Sequence, residues 1–201
     1  MESERELLRT HVRDMLAVES EIHGAFRRQE RDRRLRHDPD ARALVARIEE
    51  TVDRHLLDLK GCLRRMGGEE SRLKNALGAV LGTAAGFYDR MRADDPISRM
   101  LRDDYIALST AIVCYEMLHA TALAAGDEEV AALALRHVED YAPLVMGISD
   151  LLPHAIVREL AREGKLPPNR DDAATRAVVN TRRAWSSQAP VVQGEASSPP
   201  A

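Results

Sequence analysis

Aromatic residues are scarce: one tryptophan, four tyrosines and two phenylalanines in 201 residues. Sheet proteins fill their pleated faces with aromatic and β-branched residues, and the chain has neither an alternating β-branched run nor a hairpin signal. Cysteines number two, Cys62 and Cys114, each within a helical pattern and too far apart for a metal or redox motif. They read as reduced thiols at the edge of a core, which fits a cytoplasmic protein. No sign of charge dominates either: 29 basic against 33 acidic residues leave a net charge of -4. With acids and bases interleaved, no nucleic-acid partner is expected. Arg27, Arg28, Arg31, Arg33, Arg34 and Arg36 cluster, but Glu30 and Asp32 dilute them, and the group reads as a solvated helix end. The longest uncharged run, 75–88, is too short to span a membrane, and the opening MESERELLRT is too charged for a secretory signal. No membrane partner is expected.

What remains is Ala, Leu, Arg and Glu at helical spacing, with hydrophobic residues at 44%, enough for one core. The spacing predicts helices over about 3–33, 39–66, 71–92, 96–125 and 127–152, with a last stretch to about Arg162. Asp38-Pro39, Gly67-Gly68, Asp94-Asp95-Pro96 and Gly126-Asp127 punctuate them as caps and stops. Pro143 predicts a kink, and Pro153 an end or a second kink. Long helices joined by short loops describe an all-α, up-and-down four-helix bundle with one short extra helix, here over residues 1–165. Beyond it, 166–201 is rich in Pro, Ser, Ala and Gln and reads as a disordered tail. Within the tail, Arg176 to Trp185 suits a transient helix or a docking segment for an unknown protein partner.

One polar residue breaks the apolar pattern. Leu8, Val12, Met15, Glu19, Ile22 and Phe26 follow one another at steps of 4, 3, 4, 3 and 4, which places Glu19 on a buried helix face. A buried carboxylate costs several kcal/mol, on the order of a whole protein's margin, unless it is paired. Helical bundles place such carboxylates around metal ions. The other helices offer Glu49, with Asp53 a turn later; Glu116-x-x-His119, with His119 inward; and His137, inward, followed by Glu139 and Asp140. His55 falls at the opposite edge of its helix. Two readings follow for Glu19: a metal ligand, or a carboxylate paired with an inward histidine or arginine. Separately, Gly78, Gly82 and Gly86 recur every four residues on the 71–92 helix. Such a ridge admits a close neighbour and suggests the interface of a homodimer.

In layout the chain resembles the bacterial ferritin-like family represented by the YciE/YciF stress proteins. The matching segments are Ala17-Val18-Glu19, Ile48-Glu49-Glu50-Thr51, Tyr115-Glu116 with Ala122 to Gly126, Glu139-Asp140, and Ser149-Asp150-Leu151-Leu152. The resemblance implies a ferritin-like bundle with a dinuclear metal site at Glu19, Glu49 and Glu116, often dimeric, in a stress role. The pattern is broken in three places: Val52 replaces a histidine, Val113 a glutamate, and Tyr141 an acidic residue. The expectation is therefore a dimeric structural, interaction or stress-associated protein with no catalytic metal and no cofactor. The alternative is a dinuclear iron or manganese protein with oxidase or metal-handling activity, using Glu19, Glu49, Glu116, His119 and His137.

Overall fold

The computed structural model describes residues 2–67, 96–166 and 172–186. The expected 71–92 helix and the glycine ridge lie outside the described residues. Five α-helices and no strand are present among those described: α1 Glu2–Gln29, α2 Pro39–Arg65, α3 Ile97–Ala124, α4 Glu128–Arg162 and α5 Ala173–Ser186, with a 3-10 turn at Arg33–His37. The chain is all-α.

Local chemistry sets the boundaries. α1 stops at Gln29 rather than near Arg33 because Asp32 competes for the backbone. Its carboxylate accepts from the Arg34 backbone N–H at 2.8 Å and from the Arg34 guanidinium, which starts the 3-10 turn. Asp38 then caps α2, accepting from the Ala41 N–H at 3.2 Å, with Pro39 in the first turn. Asp127 caps α4 in the same way, accepting from the Val130 N–H at 3.1 Å. The turn between α3 and α4 passes through Gly126 at φ +70°, a left-handed conformation that glycine adopts without steric cost.

α4 continues through both Pro143 and Pro153. A proline inside a helix costs about 3 kcal/mol. Here Leu144, Val145, Ile148 and Ala155 are buried on either side, and that packing holds the backbone helical.

α1 packs on α2 and α3, and α4 packs on the same two helices. The four long helices share one core, with α1 facing α4 across it. α3 is long and apolar enough, by length and composition, to cross a membrane. In the fold it packs between α1 and α4 and buries Asp103 and Asp104 as well as its apolar residues.

One expectation is corrected. Within 166–201, residues 173–186 form α5, which packs against α4 and buries Ala174. Its face is made of alanines and a valine, which composition does not distinguish from linker.

Candidate functional site: a buried Glu–Tyr–His network

Glu19 is fully buried at the middle of the core. All four long helices aim a polar group at it or at its partners. From α3, the Tyr115 hydroxyl donates to Oε1 at 2.6 Å. From α4, the Tyr141 hydroxyl donates to Oε2 at 2.5 Å. From α2, Nδ1 of His55 lies 3.1 Å from Oε1. The other ring nitrogen of His55 lies 3.2 Å from Oδ2 of Asp140, and Arg54 donates to the same oxygen at 3.0 Å. An ionised carboxylate only accepts, so both nitrogens of His55 donate, and the ring is held as an imidazolium between Glu19 and Asp140.

His137, from α4, stacks on His55 with ring centroids 3.8 Å apart and planes within 10°. Tyr115 meets both rings edge-on, at 5.9 and 4.8 Å. Nε2 of His137 makes a long contact to Asp58, 3.4 Å, while Nδ1 has no hydrogen-bond partner among the described residues. Burial depresses the His137 pKa well below its usual 6.5, and the neighbouring His55 charge pushes it further down; Asp58 and Asp140 oppose both only in part. His137 is therefore the neutral member of the stack. Tyr115 is shifted the other way: burial and the adjacent Glu19 raise its pKa well above 10, so it remains a donor.

The depressed His137 pKa has a sign. An unfolded chain takes up a proton near pH 6.5 and the folded one does not. The stability this group confers is complete above pH 6.5 and falls as the pH drops below it, at up to ~1.4 kcal/mol per pH unit. Urea unfolding at pH 7 and pH 5 should show His137→Gln gaining on the parent by up to ~2 kcal/mol at the lower pH. An equal difference at both values would show that His137 titrates normally.

The residues proposed as ligands separate in space. Glu19 and His137 belong to the network. Glu49 lies at the α1–α2 boundary, 3.5 Å from Arg27. Glu116 is exposed. His119 is half-buried, and its Nδ1 lies 2.8 Å from the Ala131 carbonyl oxygen near the α3–α4 turn; Leu118 takes the inward position instead. Among the described residues, no group of three or more His, Cys, Asp or Glu side chains is arranged to hold a metal ion. Gly78, Gly82 and Gly86 lie outside the described residues.

Sequence reasoning placed His55 at an edge, yet it is fully buried. The signal was available: Ile48, Val52, His55 and Leu59 step by 4, 3 and 4, the same rhythm that exposes Glu19. Tyr115 and Tyr141 are fully buried, on the inward faces of α3 and α4. Their hydroxyls matter because a buried phenol seeks an acceptor.

A second buried polar pair lies nearer the α3 N-terminus. Gln29 donates through Nε2 to Oδ1 of the fully buried Asp104 at 2.5 Å. Burial, with the charge of adjacent Asp103, raises the Asp104 pKa to about 8 against the pull of Gln29.

The chain belongs to a family described as a domain of unknown function, DUF892, whose model matches residues 3–159. That span covers all four long helices up to the last turn of α4. Comparison with curated proteins gave no match, and comparison with solved structures gave none.

Proposed function

We propose that this chain is a ferritin-like four-helix bundle in which a hydrogen-bonded network takes the place of a dinuclear metal centre. Its work is structural: a dimeric scaffold or interaction protein, with the stress-associated role that the YciE/YciF resemblance implies. The observation that carries this reading is the saturation of Glu19. Its two oxygens accept from Tyr115, Tyr141 and His55. A bridging carboxylate in a dimetal site presents those lone pairs to the metals, with further carboxylates at the same level. Glu49 and Glu116 are turned elsewhere, so the donor set does not fit that centre.

A dimer is supported by the outer face of α3. Val113, Met117, Ala120 and Ala124 are all exposed and fall on one stripe, with Val113 and Met117 at 53% and 59% exposure. Contiguous apolar stripes of this kind mark protein contacts.

One preparation tests both halves. Protein purified without chelators should carry iron and manganese far below one ion per chain, and light scattering should give twice the chain mass. Stoichiometric iron or manganese that disappears in Glu19→Ala would overturn the metal-free reading. A monomer mass would overturn the dimer.

A further inference from the structure

α5 lies beyond the residues that the family model matches, and it sits over a groove between α2 and α4. A shallow cleft of about 470 Å³, open to solvent, lies beside it, with Ala43 and Leu44 of α2, Gly147 and Leu151 of α4, and Val178 of α5 among its walls. Gly147 lies against Leu44 here, where an added Cβ would come within 3.4 Å of Leu44 Cδ1. At the far end the Arg182 guanidinium grips Asp150 through two N–H groups, one at 2.8 Å. Arg182 holds the Asp150 carboxyl below its ordinary pKa. Asp40, Arg47 and His154 complete the polar rim.

We propose that this groove is a helix-docking surface and that α5 is its intramolecular occupant, held as a releasable latch. α5 presents a short recognition pattern: Ala174, Val178 and Arg182 at steps of four. That places a methyl, an isopropyl and a guanidinium along one face. The hold is weak by construction. Ala174 is the one buried residue of α5, and the Arg182–Asp150 pair is open to solvent, with side chains 61% and 29% exposed. An ion pair so exposed contributes ~0–1 kcal/mol. A helix of 14 residues is marginal alone in water, so leaving the groove melts it. Docking survives because the short connection from α4 keeps α5 at high effective concentration. Trp185 rides on the outer end of the latch, 59% exposed. Release uncovers the Leu44–Leu151 floor beside Asp150.

The test uses the full chain, Arg182→Glu, and the double variant Asp150→Arg/Arg182→Glu, which restores the pair with its charges exchanged. In Arg182→Glu, amides of residues 174–182 should exchange hydrogen about tenfold faster, with α1 to α4 unchanged, and the double variant should recover the parent rate. Unchanged exchange in Arg182→Glu, or fast exchange that the double variant does not restore, overturns the latch.

Discussion

Glu19→Ala should remove most of the protein's stability at pH 7. The substitution takes the acceptor from two buried phenols and the counter-charge from a buried imidazolium. Breaking a buried ion pair from one side costs ~3–5 kcal/mol. Each stranded hydroxyl adds ~1–3 kcal/mol to the extent that it finds no new partner. Domains of this kind have a total of ~5–15 kcal/mol, so the variant should unfold at low urea or fail to accumulate. Two milder variants keep the test interpretable. Tyr115→Phe removes one donor while Tyr141 and His55 still serve Glu19, and should cost ~1–2 kcal/mol. Glu19→Gln keeps the volume but leaves the His55 charge with Asp140 alone, and should fall between the two. If urea unfolding gave Glu19→Ala within ~1 kcal/mol of the parent, the network would not be holding the core together.

That ordering depends on residues that differ in how plainly the sequence shows them. Glu19 was legible because it interrupts a stripe of strongly apolar residues at helical spacing. The ends of α2 and α4 were legible because Asp38-Pro39 and Gly126-Asp127 act through local backbone chemistry alone. The partners of Glu19 are a different matter. Tyr115 and Tyr141 lie 96 and 122 residues away from it, and a phenol on an apolar stripe gives no sign of which acceptor it reaches. Tyr141 looked like a lost ligand because a carboxylate was expected there; the position in fact supplies a donor to Glu19. His119 and Glu116 fell to a small error of phase. α3 turns Ala111, Tyr115 and Leu118 inward, and a shift of one residue carries His119 from the core to the α4 boundary. α5 was legible only as a transient helix over 176–185, for an energetic reason: one buried alanine and one solvent-exposed ion pair are a slight signal in a polar, Pro- and Ser-rich stretch.

Asp104→Asn should stabilise the protein, and by more as the pH rises. Asp104 is fully buried; Gln29 reaches Oδ1, and Oδ2 has no hydrogen-bond partner among the described residues. Burial raises the folded-state pKa from 3.8 to about 8. The unfolded chain therefore gives up this proton four units earlier than the folded one. The stability associated with the group is complete below pH ~4, declines by up to ~1.4 kcal/mol per pH unit, and is gone once the pH passes 8. Asparagine has the same shape and nothing to ionise. It keeps an amide oxygen for Gln29 and avoids the linkage altogether. Between pH 4.5 and 7.5 the stability difference between Asp104→Asn and the parent should grow by about 4 kcal/mol in favour of the variant. His137 imposes the opposite slope, favouring neutral over acidic pH, but it does so in both proteins and cancels in the difference. Urea unfolding of the pair at the two pH values separates the terms. A constant difference would mean that Asp104 ionises in the folded protein as readily as in the unfolded one, with a cation or water reaching Oδ2. A growing difference would mean that the core carries a carboxylic acid at neutral pH, at a direct cost to stability, only 11 residues from the Tyr115 hydroxyl that serves Glu19.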